Sequence, residues 1–170
     1  DDYSKIILNK SFDNDGNFAS KGCPINVEVE KFLQNDFFKR SPPKSLDRNF
    51  FDLSYKNLIQ KNYSAYDVMA TLLEFTLESI KVSLQSLPRQ VKNILICGGG
   101  YKNLYLVTRL SEKLKMNFLN EKELGMAFDF IEAELIAYLS ARALYKLPFT
   151  FPSTTGVLKP SSGGNLYMYS

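Results

Sequence analysis

The clearest periodic pattern of apolar residues lies between Ser64 and Pro88. Apolar side chains recur there at steps of three and four residues, which is the spacing of one face of an α-helix. Ser64 and Asp67 have the spacing of a capping box in its acidic variant, so the helix is predicted to begin after Ser64 and to end before Pro88. The stripe predicted to form core comprises Met69, Leu72, Leu73, Thr76, Ile80, Leu84 and Leu87.

Two other segments also have helical periodicity. Residues 27–38 predict a short amphipathic helix, which the Pro42-Pro43 pair prevents from continuing. A longer helix is predicted from about Ala127 to Tyr145, and Glu132 lies in line there with apolar residues on the face expected to pack inward. Because burying an unpaired carboxylate is costly, Glu132 should be ion-paired, bonded to donors or placed in a polar cleft.

A short apolar run at residues 91–97 stops at three consecutive glycines, Gly98, Gly99 and Gly100. The run predicts a buried strand, and glycines at its carboxyl end allow the backbone to approach a phosphate or a purine. A helix pattern begins near Asn103, so its free N–H groups would face the same place. The equally open alternative is a turn whose glycines only let a helix pack on a strand.

A second short strand, predicted at residues 116–119, follows that helix. Helices and strands that alternate in this way predict an α/β layer arrangement. Residues 11–22 are rich in Asn, Asp and Gly and predict a surface loop, while residues 164–169 predict a final edge strand. Lys44, in the proline-rich loop, could reach a phosphate or could simply be solvated.

Composition narrows the classes of function. The 170 residues suffice for one core or one lobe, and the net charge of +3 is scattered, so nucleic acid is not an expected partner. The longest apolar stretches are too short to span a membrane, so a soluble, cytoplasmic chain is expected. With two cysteines and no histidine, thiolate zinc sites, histidine-ligated metals and histidine-dependent triads are excluded, and a carboxylate is the expected base.

Two alternatives from different classes stay open at this point. Gly98, Gly100 and position 103 have the spacing of a dinucleotide-binding fingerprint, and Glu121 lies where a ribose-binding acid would be expected. However, position 103 is Asn, which departs from the glycine that allows close helix–strand packing there. A non-catalytic assembly lobe or remnant is the other alternative, because no base–nucleophile pair is evident.

Several ordered blocks of sequence resemble the carboxyl-terminal half of anhydro-N-acetylmuramic acid kinases, and the similarity covers essentially the whole chain. The blocks are Ser41-Pro42-Pro43-Lys44-Ser45 with Arg48, Ile96-Cys97-Gly98-Gly99-Gly100 with Asn103, Glu123-Leu124-Gly125 leading to Asp129, Ile131-Glu132-Ala133, and Pro152-Ser153 through Thr155-Gly156. The resemblance implies an actin-like, ribonuclease H-like sugar-kinase fold. Residues 1–170 would form the single carboxyl-terminal lobe of a two-lobed enzyme, with an incomplete sheet flanked by helices and no amino-terminal lobe.

The resemblance also implies an activity and a distribution of roles. Such kinases open the anhydro ring of a cell-wall sugar with water and transfer the γ-phosphoryl group of ATP, with Mg²⁺, to the freed oxygen, which places them in peptidoglycan turnover and amino sugar metabolism. By this resemblance Gly98, Gly99, Gly100 and Asn103 bind the nucleotide. Glu132 binds the sugar with support from Asp129, and Lys44 is a candidate phosphate or cleft contact.

The resemblance places other parts of the machinery outside this chain. It implies that the catalytic base and the phosphate loop belong to the preceding half of the enzyme, so no catalytic residue and no metal ligand is assigned here. We therefore expect the chain to be inactive alone, and the full-length enzyme to be a homodimer. In isolation the chain is also expected to be poorly soluble, because strands of its sheet would belong to the preceding half and leave an open sheet edge. Tyr101 and Lys102 stand where a small residue and a histidine are expected, and Ala127-Phe128 replaces an expected Pro-Pro pair.

Overall fold

The computed structural model describes residues 1–167, with the side chains of Arg48 and residues 51–55 left aside. The helices are α1 (Asp2–Leu8), α2 (Asn26–Leu33), α3 (Asp36–Lys39), α4 (Asp52–Gln60), α5 (Ala65–Gln85), α6 (Leu104–Leu114), α7 (Glu121–Leu124), α8 (Ile131–Leu144) and α9 (Pro152–Thr155). The strands are β1 (Asn93–Leu95) and β2 (Asn117–Leu119). Short 3₁₀ turns lie at Asn14–Gly16, Ala19–Lys21, Arg48–Phe51 and Gly99–Lys102.

The long helix α5 begins where the sequence predicts, because the Ser64 hydroxyl accepts a hydrogen bond from the amide of Asp67. Its predicted core stripe is partly wrong. Val68 and Leu77 are fully buried, whereas Thr76 and Leu87 are exposed. The reason is that helices α1 to α4, α6 and the turn at Ala19–Lys21 all contact α5, so it is covered from more than one side.

The segment that leads into α2 crosses the first turn of α5 at very close range. A Cβ built on Gly22 would lie 2.0 Å from the carbonyl oxygen of Tyr66. The Cys23 amide donates to the Asp67 carboxylate at 2.8 Å, and the Ile25 amide donates to the Thr71 hydroxyl at 2.9 Å. The predicted reciprocal arm of the capping box is therefore wrong, since the Asp67 carboxylate is bonded to this crossing segment.

The main core lies against the amino-terminal half of α5. Its buried members are Tyr3, Ala19, Phe32, Leu58, Val68 and Met69. The predicted helix over residues 27–38 is split into α2 and α3, because the Asn35 side chain accepts from the Phe37 amide and begins a new turn. Residues 11–22 form turns, as predicted, and Asp13 accepts from the amides of Phe18 and Ala19. The predicted surface location is partly wrong, because Asp13 and Ala19 are buried.

Two parallel strands and the helix between them form the part of the fold that carries the glycines. Ile94 pairs with Phe118 in the register of β1 and β2, so both strands that the sequence predicts are present. The predicted burial of the first strand is wrong, because no residue of β1 is buried. Helix α6 is fixed to α5 by ion pairs: Glu74 contacts Arg109 at 3.0 Å and Lys113 at 2.5 Å, and Lys113 also contacts Glu78. The arrangement is α/β in class, with a small parallel sheet beside helices.

The carboxyl-terminal part of the described chain packs loosely on the rest. None of the residues in α8 is buried, and Leu135 and Ile136 are 52% and 62% exposed. The final edge strand is not formed over residues 164–167, and residues 168–169 lie outside the described part of the chain. Instead, Thr150 and Ser161 form an antiparallel bridge. Among the described residues, no helix is both long and apolar enough to cross a membrane.

A buried acid links α2 to the chain that follows α4. The carboxylate of Glu28 accepts from Lys61 at 2.7 Å, from Lys31 at 3.3 Å and from the Tyr63 hydroxyl at 3.4 Å. The hydrogen bond from Lys61 is the main reason that the pKa of Glu28 lies below its ordinary value of 4.5. This network compensates for the burial of the carboxylate, since Glu28 is 4% exposed.

Gly22→Ala is expected to lower the free energy of unfolding by about 3 kcal/mol, because the added methyl group collides with rigid backbone. Gly99→Ala is the matched control, since its methyl group would have no heavy atom within 4 Å in the described structure. Urea unfolding of both variants measures the difference. Equal midpoints for the two variants would contradict the close crossing at Tyr66.

Glu28→Gln is expected to destabilise the chain by about 1 kcal/mol at pH 7, because it replaces charge-assisted hydrogen bonds from partly exposed lysines. The folded-state pKa is lowered, so this stabilisation is present above pH 4.5 and is lost as the pH falls below that value. Urea unfolding should therefore separate the two proteins at pH 7, and the difference should shrink progressively as the pH falls below 4.5. The exposed neighbour Glu30, changed to Gln, should show no such pH-dependent difference.

Candidate functional site

Two residues separate β1 from the glycine turn, which comprises Gly98, Gly99 and Gly100. The backbone of its first glycine has a positive φ. Gly98 has φ 71° and ψ −171°, a region that only glycine adopts readily. Gly99 and Gly100 follow in a 3₁₀ turn, and a Cβ on either would have no heavy atom within 4 Å among the described residues. Gly98 is therefore required by the backbone, while Gly99 and Gly100 leave open space beside the chain where a ligand can approach.

Asn103 closes the turn and begins helix α6. Its side-chain oxygen accepts from the Leu106 amide at 3.0 Å and so caps the helix, which the sequence predicts to begin near Asn103. The loop at Gly16 packs against the same place, because a Cβ on Gly16 would lie 2.9 Å from that oxygen and 2.6 Å from the Tyr105 Cβ. The start of α6 is thus held by the Asn103 cap and by the Gly16 loop, and the Asn103 amide is bonded back to the Gly100 carbonyl.

Glu132 lies beside the glycine turn. A Cβ built on Gly98 would be 3.8 Å from the Glu132 Oε1 atom. The structure therefore brings together two of the site residues that the sequence predicts, 34 positions apart. The carboxylate is exposed and, within the described part of the chain, has no hydrogen-bond or ion-pair partner.

The prediction that Glu132 lies on an inward-packing helix face is wrong, because Leu135 and Ile136 on the same helix are also exposed. The helix itself begins at Ile131 and not at about Ala127. Residues 125–130 instead form turns, in which Gly125 has φ 63° and the Phe130 amide donates to the Ala127 carbonyl.

Asp129, the other predicted sugar-side acid, is held by residues of the glycine turn. Lys102 Nζ lies 2.8 Å from Asp129 Oδ1, and the Tyr101 hydroxyl lies 3.3 Å from the same oxygen. The Lys102 hydrogen bond is the main reason that the pKa of Asp129 is lowered, and the same bond raises the pKa of Lys102. Sequence reasoning noted Tyr101 and Lys102 only as departures from a family pattern and missed this contact.

Lys44 is engaged locally. Its ammonium donates to the Phe37 carbonyl at 3.1 Å and lies 4.8 Å from the centre of the Phe37 ring. The neighbouring Pro43 Cγ would be 3.5 Å from a Cβ on Gly156, so two of the quoted sequence blocks meet here. A role for Lys44 at a phosphate stays a prediction.

Glu121 has a structural role in the described fold. Its carboxylate accepts from the Phe128 amide at 2.7 Å and so shapes the turn before α8. In the dinucleotide alternative this acid would bind a ribose. The described residues contain no group of three or more His, Cys, Asp or Glu side chains placed to hold a metal ion.

A family model described as anhydro-N-acetylmuramic acid kinase matches residues 1–169. The chain belongs to the anhydro-N-acetylmuramic acid kinase family. Curated relatives of the same name include a Zymomonas mobilis protein, 36% identical over 167 residues. Relatives from Bradyrhizobium diazoefficiens and Methylorubrum populi are each 37% identical.

The alignments cover nearly all of this chain but less than half of each relative. Each alignment covers 96–98% of this chain but only 42–45% of the relative. The chain therefore spans less than half the length of these anhydro-N-acetylmuramic acid kinases. The glycine turn, Asn103, Asp129 and Glu132 all fall within the matched range of the family.

Asn103→Ala should lower the free energy of unfolding by about 1 kcal/mol, because the cap of α6 is lost. Asn103→Ser keeps an oxygen at that position and should retain stability close to that of the unchanged chain. Urea unfolding tests this comparison. An equal loss in both variants would show that Asn103 stabilises the turn by something other than capping.

Proposed function

We propose that this chain is part of an ATP-dependent anhydro-N-acetylmuramic acid kinase and supplies the nucleotide-binding turn and part of the sugar pocket. The proposal rests on family membership and on one geometric observation, the position of the Glu132 carboxylate beside Gly98. A kinase must bring a nucleotide and an acceptor to one place, and these two groups adjoin on the surface. The reaction opens the 1,6-anhydro ring with water and gives N-acetylmuramic acid 6-phosphate.

The nucleotide is proposed to lie along Gly98, Gly99 and Gly100. The open space at Gly99 and Gly100 allows a purine or a phosphate to contact the backbone closely. Helix α6 presents its first amides at the same turn, and its positive dipole end favours an anion. Asn103 has its oxygen committed to the cap, so its amide nitrogen is the group left to contact the nucleotide.

Glu132 is proposed to hold the sugar. Its carboxylate is exposed and unpaired within the described residues, so its acceptor oxygens are available to sugar hydroxyl or amide donors. The ionised group can accept two or more such bonds. This availability is what distinguishes it from Asp129, whose carboxylate is bonded to Lys102 and Tyr101.

Phosphoryl transfer depends mainly on positioning and on charge stabilisation, which Mg²⁺ bound to ATP supplies. Side chains of this chain do not form a ready metal cluster in the described range, so the ion would enter with the nucleotide phosphates. The catalytic base is proposed to come from the part of the enzyme that relatives have and this chain does not span. The chain alone should therefore bind ATP without turning over substrate.

The rest of the enzyme is the proposed partner of the loosely packed carboxyl-terminal region. Residues 1–170 would form the carboxyl-terminal lobe of an actin-like fold, as a cytoplasmic enzyme that is a homodimer at full length. The exposed apolar residues of α8 and its flanks suit burial against such a partner. They include Phe130, Leu135, Ile136, Tyr138, Leu144 and Leu147.

Two alternatives are an NAD-binding oxidoreductase and a non-catalytic remnant. Neither function requires a carboxylate at Glu132 that binds a sugar.

The test uses the chain itself and a chimera in which it replaces the matching segment of the Zymomonas mobilis relative. The chain should bind Mg-ATP in preference to NADH and should release no ADP. In the chimera, Glu132→Gln should lower kcat/KM for the anhydrosugar by about 100-fold, because only the sugar contact is lost, with ATP affinity nearly unchanged.

Glu134→Gln is the matched control, since Glu134 is also exposed in the first turn of α8. It should leave turnover close to that of the unchanged chimera. A parallel loss of sugar turnover and ATP affinity in Glu132→Gln would indicate a structural role. Preference for NADH, or ADP release by the chain alone, would overturn the proposal.

A further inference from the structure

The first turn of α8 has little to hold it against the glycine turn. Residues of α8 are not buried in the described structure, so core packing does not determine where Glu132 lies. At its far end Arg142 donates to the Pro148 carbonyl at 2.6 and 2.9 Å, which joins the helix only to the chain that directly follows it. Something at the near end must keep the Glu132 carboxylate beside Gly98.

Asp129 joins the segment before α8 to the glycine turn. In the described structure, every side-chain hydrogen bond or ion pair between these two segments involves its carboxylate. Lys102 lies 2.8 Å from its Oδ1 atom and 3.0 Å from its Oδ2 atom, so one ammonium engages both carboxylate oxygens. The Tyr101 hydroxyl adds a bond at 3.3 Å. Both donors directly follow Gly100, and the acceptor lies three residues before Glu132.

An apolar contact supports the polar one. The Tyr101 ring meets the Phe128 ring edge-on, with centroids 5.7 Å apart, and Lys102 lies 5.6 Å from the Tyr101 ring centre. Phe128 is buried, and its amide is bonded to Glu121. A lone exposed ion pair would constrain little, but this one sits next to an anchored residue and shares its carboxylate with a second donor.

The two acids therefore differ in what they can do. Asp129 has its charge balanced by Lys102, while Glu132, three residues further along the chain, is free within the described residues. We propose that Lys102, Tyr101 and Asp129 form a latch that positions Glu132 at the glycine turn, so that Asp129 is a positioning residue and does not touch the sugar. This inference rests on the proposed function for the identity of the ligands, but the latch itself is a property of the chain.

One arm of the test measures the latch without any ligand. Asp129→Asn in the 170-residue chain should raise hydrogen exchange about fivefold at the amides of Tyr101, Asn103 and Phe130, whose bonds lie within the two joined turns. Asp36→Asn breaks an ion pair of the same 2.8 Å length in α3 and should leave these amides unchanged. Unchanged exchange in Asp129→Asn would overturn the latch.

The second arm separates positioning from direct contact. In the chimera, Asp129→Asn should lower kcat/KM for the anhydrosugar about tenfold with ATP affinity unchanged, because the nucleotide turn keeps its glycine backbone. The double variant Lys102→Asp with Asp129→Lys restores the pair in reverse and should recover most of this loss. A residue that bonds the sugar directly would not be rescued by a cation, so failure of the rescue would overturn the proposal.

The two arms also distinguish this inference from the proposed function. A chimera that contains the unchanged chain and has no anhydrosugar kinase activity would count against the function alone. The exchange measurement would still decide whether the latch exists. Increased exchange together with unchanged sugar turnover would show a latch that does not position Glu132 and would overturn the inference as stated.

Discussion

The backbone of Gly98 is the constraint on which the candidate site depends. Its combination of positive φ and extended ψ turns the chain sharply after β1, and side chains other than hydrogen are strongly disfavoured there. That turn does two things at once. It leads into the open 3₁₀ turn of Gly99 and Gly100, and it brings the backbone to within reach of the Glu132 carboxylate. A different residue at this position would redirect both features.

The site is supported from the well-packed side of the molecule. Helix α5 carries the core, and its Glu74 and Glu78 hold α6 through Arg109 and Lys113. Because α6 begins at Asn103, this ion-pair ladder also fixes the carboxyl end of the glycine turn. The glycine turn is therefore attached to the core through α6, whereas Glu132 is carried by a helix with no buried residue.

This contrast agrees with the comparison to relatives. The family match is essentially complete along this chain but covers less than half of each relative's length. The apolar side chains on α8 are of the kind that another protein layer buries, and the side of the site that they flank is the one proposed to receive the sugar. The glycine turn is thus held by the core of this chain, whereas the helix that carries Glu132 has apolar side chains left exposed.

Local patterns in the sequence were sufficient for the elements whose causes are local. The cap at Ser64, the cap at Asn103, the glycine turn and both short strands are in place, because hydrogen-bonding side chains, glycines and apolar runs act over a few residues. The ordered family blocks likewise identified the family. The apolar pattern failed where packing by other elements decides burial, because α5 is covered from several sides while no residue of α8 is buried.

The sequence by itself determined the α/β class, the positions of the caps and the glycine turn, and family membership, since each depends on residue type at short spacing. The tertiary structure alone decided that Asp67 bonds to Cys23, that Lys102 engages Asp129, and that Glu132 lies free beside Gly98. These contacts join residues 27 to 44 positions apart. Their partners are selected by how helices and turns pack, which no local pattern of side chains encodes.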